Sequence, residues 1–325
     1  MIRWPALSEP MIASPRTGRQ HALAVLQALF VTFLWSTSWV LIKIGLDDLD
    51  LKPLSFAGLR YALAAVILLP FGIRAMRSAH AATPLTAHLL GRVAIYGLLF
   101  VAVAQGAQFA ALAVLPATAV SLILASIPMW VALVALAEGA ERPTIGQFAG
   151  IALLTIGALL YFGPFEIGAD ALLGFAAAAV CAAAATSSAH LGRRLARDVI
   201  GQLGGSIGLT ATSMAFGAVV LLAVGLALEG FPAVSLTGWL IIGWLALVNT
   251  ALAFTIWNHT LRTLTAVESS VVNNTMTIQI AVLAIVFLAE KLGPLQLVGL
   301  LLAAGGAAVV QLAPLLRARR DRPVA

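Results

Sequence analysis

Long apolar runs separated by short polar segments dominate the chain. An α-helix needs roughly 20 apolar residues to cross the hydrocarbon core of a bilayer, and each run has about that length. The runs therefore predict an all-α integral membrane protein with ten transmembrane helices. Their expected positions are 22–44, 54–73, 93–112, 117–136, 145–162, 171–189, 206–228, 236–257, 266–288 and 294–312. Only Leu115 and Pro116 separate the third run from the fourth, which predicts a tight hairpin there.

The composition leaves little room for anything beside these helices. Of 325 residues, 61% are hydrophobic and 10% are charged, whereas about a quarter of the residues of a soluble domain are charged. We therefore expect no large soluble domain. The single cysteine, Cys181, excludes a disulfide framework and a cysteine-based metal site.

The basic residues predict the orientation, because loops rich in lysine and arginine stay in the cytoplasm. If the N-terminus is cytoplasmic, the predicted helices place nearly all 19 lysines and arginines on the cytoplasmic side. We therefore expect both termini in the cytoplasm, with basic tails at 1–21 and 314–325. The net charge of +6 is interpreted as this topology signal, and no nucleic-acid partner is expected. The exceptions are Lys43, Lys52, Arg60 and Lys291.

An internal repeat appears when the second half is laid on the first with a shift of 149 residues, the difference between Glu141 and Glu290. Each half then holds five helices, an odd number, so the second half must cross the bilayer in the opposite direction. Inverted repeats of this kind are typical of secondary transporters, whose midplane site lies between the halves. The matched pairs are Glu141 and Glu290, Gln147 and Gln296, Gly150 and Gly299, Gly157 and Gly306, Thr37 and Thr186, Ser38 and Ser187, Ala117 and Ala266, and Ser121 and Ser270.

Three stretches carry a family resemblance. They are Pro128 to Glu141 with the following Arg142, Gln147, Gly150 and Gly157; Glu290 to Gly299 with Gly306; and Leu34 to Trp39 with Lys43. With these residues the chain resembles the EamA family of the drug/metabolite transporter superfamily. The proline that this family has near the middle of its fourth helix is present as Pro128, but Thr277 stands at the repeat-related position.

The resemblance implies two inverted five-helix EamA-type repeats, at 22–163 and 170–313. It also implies a multi-pass protein of the cell membrane, expected in a bacterial inner membrane, and no prosthetic cofactor. The implied activity is transport of small metabolites, amino acids or related compounds, with export as the expected direction. The expected partners are the small-molecule substrate, the lipid bilayer and a second copy of the chain in a homodimer.

Polar side chains at membrane depth are candidates for the substrate site, because burying them without a partner costs free energy. The ninth helix is the richest in them: Ser270, Asn273 or Asn274, and Thr277 share one face. Amide groups both donate and accept hydrogen bonds, which suits zwitterionic metabolites. The alternative is that these side chains only join helices to one another. The predicted substrate-binding residues are Trp35, Ser38, Arg60, Gln105, Gln108, Ser121, Pro128, Ser270, Asn273, Asn274 and Thr277.

Three of the candidates keep alternative interpretations open. Arg60 either attracts an anionic substrate, pairs with a carboxylate such as Glu268, or extends its side chain to the outer interface. Glu268, near the start of the ninth helix, either stabilises the helix dipole or takes part in ion coupling. Pro128 either frees a backbone carbonyl for a ligand or simply kinks its helix.

An enzyme and a channel are the rival functional classes. Asp47, Asp48 and Asp50 form an isolated acidic cluster without a second one, so no metal site is predicted. The sequence contains no HExxH zinc motif. No filter-like loop indicates a channel. The sequence therefore favours a transporter without catalytic residues.

Overall fold

The computed structural model describes residues 18–79, 86–137, 144–163, 168–198, 202–260, 263–264 and 266–320, and these residues form helices and no strand. Nine of the described helices are long and apolar enough to cross a bilayer, and a tenth contributes the shorter apolar segment Val272–Phe287. The helices are α1 Gly18–Asp47, α2 Pro53–Ala79, α3 Ala87–Gly97 with Leu98–Val103 and Ala104–Val114, α4 Ala117–Leu124 with Ile127–Ala137, α5 Ile145–Phe162, α6 Ala169–Asp198, α7 Ser206–Glu229, α8 Leu236–Ala246 with Leu247–Leu252 and Ala253–Thr260, α9 Ala266–Phe287 and α10 Pro294–Arg320.

The ten predicted spans are confirmed in number and order, and the α3–α4 hairpin turns at Leu115 and Pro116 as expected. Most helices are longer than predicted: α3 begins six residues before position 93, and α2, α6 and α10 continue past their predicted ends at 73, 189 and 312. An apolar run indicates only the part of a helix that lies in hydrocarbon. The polar ends continue the same backbone hydrogen bonding outside it.

α4 is broken rather than continuous. It stops at Leu124 and resumes at Ile127, so that Pro128 lies in the first turn of the second segment, where its missing N–H costs nothing. The Met129 and Trp130 N–H groups both donate to the Ser126 carbonyl, at 2.9 and 3.2 Å. Of the two interpretations of Pro128, the structure thus agrees with the kink, which is a local break at Ala125 and Ser126 where the Ala125 N–H still donates to the Ser121 carbonyl at 2.9 Å.

The 149-residue repeat is visible in the local structure of the two halves. A π-helical turn, in which the helix widens by one residue, occurs at Leu98–Val103 in α3 and at Leu247–Leu252 in α8. Thr86 caps α3 by accepting from the Leu89 N–H, and Ser235 caps α8 by accepting from the Gly238 N–H. Every one of these features recurs 149 residues later.

The repeated glutamines also have matching roles. Gln147 accepts the Thr144 N–H at 2.8 Å, and Gln296 accepts the Gly293 N–H at 2.8 Å. Each closes the first turn of a helix, α5 in one half and α10 in the other. These residues of the family-like motif therefore hold helix ends.

Packing follows the same inverted symmetry. α5 packs against α10 and α2 against α7, and each of these pairs joins equivalent helices of the two halves. α1 packs against α8 and α9, just as α6 packs against α3 and α4. The two halves are thus interleaved, and the space between them is lined by both.

The helix directions define two sides of the bundle. We call the side where α1 begins the near side and the side where α1 ends the far side, which is the predicted outer side. On the far side, Glu229 accepts the Leu54 and Ser55 N–H groups at 3.0 and 2.7 Å. Glu290 likewise accepts the Ala117 N–H at 2.6 Å. The two carboxylates satisfy the unpaired donors at the starts of α2 and α4 and tie the halves together.

Candidate functional site

Two adjoining cavities open in the near-side half of the bundle, between the two repeats. Their volumes are about 260 and 200 Å³, and they share Thr210 of α7 and Phe254 of α8. Together they fall in the range of small-ligand pockets, roughly 300–1,000 Å³. We call them the near-side cavity. The lining side chains include Leu68, Tyr96, Phe100, Thr210, Ser213, Met214, Phe254, Thr255, Trp257 and His259.

Aromatic rings form one wall of the near-side cavity. Tyr96 stacks on Phe100 with 5.6 Å between ring centroids, and Phe100 meets Phe254 edge-on at 6.4 Å. Trp35 continues the row, since its ring lies 5.4 Å from that of Phe254 and 5.2 Å from that of Trp257. Helices of both halves therefore contribute to a continuous aromatic surface. Such a surface suits an apolar or planar part of a ligand.

Arg60 lies closer to the far side than this cavity and is buried. Only 5% of the residue is exposed, so its side chain does not extend to the outer interface, and that interpretation of the sequence is wrong. Its guanidinium lies 5.0 Å from the Tyr61 ring and 5.9 Å from the Phe109 ring, in cation–π contact. Its Nε–H donates to the Thr250 hydroxyl at 3.2 Å, which joins α2 to α8.

The same layer contains a second bond. The Tyr61 hydroxyl donates to Gln105 Oε1 at 2.7 Å, which ties α2 to α3. Two predicted site residues, Arg60 and Gln105, are therefore brought together through Tyr61. We call Arg60, Tyr61, Gln105 and Thr250 the arginine layer.

The π-helical turn of α8 supplies further polar groups next to this layer. Asn249 is fully buried and donates from Nδ2 to the Leu34 carbonyl and to the Thr37 hydroxyl of α1. Its Oδ1 is also buried and finds no hydrogen-bond partner among the described residues. A π-helical turn inside an α-helix often marks a functional site, since it redirects side chains into the bundle.

On α9, Asn273 is the predicted site residue whose side chain is exposed. It shares a face with Thr277, Ile280 and Ala284 by three- and four-residue steps, and these three are buried. Asn273 is nevertheless exposed, whereas the lipid-facing side of the helix carries residues such as Ile278. Asn273 lines none of the cavities described below or above, so its part in a substrate site stays a prediction.

Asn274 has a different environment. It exchanges two hydrogen bonds with Gln311 of α10, at 3.1 and 3.2 Å, so its amide joins two helices. Gln279 similarly joins α9 to α1, because it accepts from Ser36 at 2.9 Å and donates to Thr32 at 3.3 Å. Interhelical bonding, the alternative weighed for the polar face, thus describes Asn274.

The other sequence-predicted residues are spread over the bundle. The hydroxyls of Ser38 and Ser121 donate to carbonyls of their own helices, those of Trp35 and Thr118. Gln108 is half-buried, and the side chain of Ser270 is outside the described part of the chain. Glu268 Oε1 lies 3.2 Å from Nε2 of His21 in α1, a contact near the near-side surface. Glu268 is therefore far along the bundle from Arg60, and the two do not pair.

A larger crevice of about 550 Å³ lies at the far side, between the end of α1, the α3–α4 hairpin and the end of α9. Several of its charged groups are already engaged, since Lys43 pairs with Asp47 at 2.9 Å and donates to the Leu112 carbonyl at 2.9 Å, whereas Asp48 is exposed. Glu290 caps α4. We therefore place the candidate site in the near-side cavity and the arginine layer.

Sequence reasoning missed much of this site. Asn249 and Thr250 stand together in an otherwise apolar run, a signal that could have been found. Apart from the predicted Trp35, the aromatic residues of the wall carry no such signal, because Phe254 and the exposed Trp244 are both large apolar residues of the same helix. Only the packing distinguishes a cavity wall from a lipid-facing surface.

Comparison with known proteins agrees with the fold. The sequence pattern of the EamA-like transporter family matches residues 22–163 and 171–312, as two repeats. One protein of known crystal structure superposes with a TM-score of 0.61 at 19% identity, over 94% of this chain and 99% of that protein, which supports the fold alone. No curated protein matches the sequence significantly. The family match covers most of the chain, and the chain therefore belongs to the EamA-like transporter family, membrane transporters of the drug/metabolite transporter superfamily.

Proposed function

We propose that this transporter moves amino acids or related small metabolites, in the direction of export, by alternating access between its two halves. The observation that carries the proposal is the near-side cavity, which is lined by α2 and α3 of one repeat and by α7 and α8 of the other. A cavity between inverted repeats opens to either side when the repeats rock against each other. Its mixed lining of aromatic rings and hydroxyls suits a small molecule with apolar and polar parts.

The arrangement of bonds supports the same cycle. The arginine layer lies on the far side of the cavity, where Tyr61 bonds to Gln105 and Arg60 bonds to Thr250 and so join α2 to α3 and α8. The positions 149 residues after Tyr61 and Gln105 are Thr210 and Phe254, which line the cavity. Rocking would exchange these two environments, so that the far side opens where the near side closes. With both termini in the cytoplasm, the near-side cavity faces the cytoplasmic pool of substrate.

The proposal is tested by flux measurements in right-side-out and everted membrane vesicles from cells that produce the protein. Labelled leucine, phenylalanine and threonine would be offered to each preparation, with empty-vector vesicles as the control. Export predicts concentrative uptake in everted vesicles above the control. Uptake restricted to right-side-out vesicles would instead show import. A steady ionic current in planar bilayers would indicate a channel.

A further inference from the structure

Arg60 is a buried cation for which the described residues supply no carboxylate. The ion pairs among those residues join His21 to Glu268, Lys43 to Asp47, and Lys52 to Asp50, and none includes Arg60. A charge held at membrane depth without a counter-charge is costly, and such residues commonly mark substrate pathways.

The guanidinium also has donors to spare. It carries five N–H groups in a planar fork. Its one hydrogen bond within the described structure runs from Nε to Thr250, while Tyr61 and Phe109 cover it with ring faces. The Nη groups are thus available to a planar, two-oxygen acceptor. A carboxylate matches this geometry with two parallel bonds.

The position of Arg60 relative to the near-side cavity fits the length of a small substrate. Phe254 follows Thr250 by one helical turn, about 6 Å at 1.5 Å per residue. Leu68, on the cavity wall, lies about 12 Å from Arg60 along α2 by the same rise. A molecule whose charged end lies at the arginine layer would place its other end against the aromatic wall.

We propose that Arg60 binds the carboxylate of the transported substrate, so that the cargo is a small carboxylate with an apolar remainder, such as an amino acid with an apolar side chain. This inference rests on the proposed function and names the substrate group that the site selects. Neutral amides of the same compounds lack the second oxygen and the charge, and they are rejected.

Binding to purified wild-type protein tests the inference without any flux. Thermal unfolding in detergent would be followed with L-leucine, L-phenylalanine and phenylacetate, each beside its amide. The variants are R60Q, R60K and T250V, with R74Q as the control because Arg74 lies exposed on the same helix. Replacing a buried charge by a neutral amide lowers the cost of burial, so R60Q should fold. R60K retains the charge without the planar fork.

We expect at least one carboxylate, and none of the amides, to raise the unfolding temperature of wild type and R74Q. R60Q should bind it about tenfold or more weakly, with R60K intermediate and T250V weakened less than R60Q. The inference is overturned if no carboxylate stabilises wild type, if amides act equally well, or if R60Q binds as wild type does. Flux by wild type that is unchanged in R60Q would overturn this inference alone. Arg60-dependent binding without any flux would overturn the transport proposal instead.

Discussion

Gly157 and Gly299 meet backbone to backbone where α5 crosses α10. A Cβ built on Gly157 would lie 2.5 Å from the Gly299 carbonyl oxygen, and one on Gly299 would lie 2.6 Å from that of Gly157. Gly150 and Gly306 repeat the contact at 2.8 and 2.6 Å. All four belong to the 149-residue repeat, so the motif glycines of each half allow the close contact that joins the two halves.

This close approach predicts that G306A destabilises the protein. The new methyl group would clash with the Leu154 backbone and with the Gly150 carbonyl. Backbone atoms cannot relieve such a clash by changing rotamer, as a flexible side chain can. We expect a loss of about 1–3 kcal/mol, measured as a lower unfolding temperature in detergent. G305A is the matched control, because Gly305 is exposed and has nothing near its Cβ position. Equal unfolding temperatures for the two variants would contradict the packing described.

Glu290 predicts a second effect on stability. Its carboxylate accepts the Ala117 N–H at 2.6 Å and the Thr118 hydroxyl at 2.6 Å, at the positive start of α4. E290Q keeps the shape but loses the charge, and we expect it to cost about 0.5–2 kcal/mol in thermal unfolding. D48N is the control, because Asp48 is exposed on the same side of the bundle, and it should leave the unfolding temperature unchanged. A stable E290Q protein would mean that the carboxylate does not hold α4.

The aromatic wall predicts an effect of F254A on transport. F254A removes the ring shared by the two parts of the near-side cavity and its contacts with Trp35 and Phe100. A lost aromatic contact is worth about 0.5–1.5 kcal/mol, so uptake at low substrate should fall roughly tenfold. W244A on the same helix is the control, since Trp244 is 53% exposed on the outside. Equal uptake by both variants would show that the near-side cavity is not part of the transport pathway.

Leucine substitutions at the neighbouring residues Asn273 and Asn274 are predicted to have different effects. If Asn273 binds substrate as predicted, N273L should transport poorly at an unchanged unfolding temperature, because its exposed side chain contributes little to packing. N274L should unfold earlier, since it loses the two bonds to Gln311, worth about 0.6–1.7 kcal/mol in a membrane helix pair. Intact transport in a folded N273L/N274L double variant would rule out this part of the sequence-predicted site.

The fold could largely be predicted from the sequence because the bilayer imposes one length on every span. The same constraint explains the repeat, whose odd number of helices requires inversion. The glycines of the contact between α5 and α10 were also visible in the sequence, because all four recur in the 149-residue repeat. For these features, the local sequence pattern is therefore enough to predict the structure.

The candidate site could be predicted only in part. Arg60 lies at a depth from which its side chain could reach either the interface or the interior. Its inward direction depends on Tyr61, Phe109 and Thr250, which come from three helices. The cavity wall was not predictable for a similar reason, because in an apolar run the side that faces lipid and the side that faces a ligand have the same composition.

Counterflow in proteoliposomes tests the central claim most directly. Purified protein would be reconstituted with unlabelled leucine inside, and trace labelled leucine would be added outside without any ion gradient. Alternating access predicts transient accumulation of label above equilibrium, which disappears when the internal amino acid is omitted. An absence of exchange across a panel of amino acids and related metabolites, with folded protein in the membrane, would contradict the account.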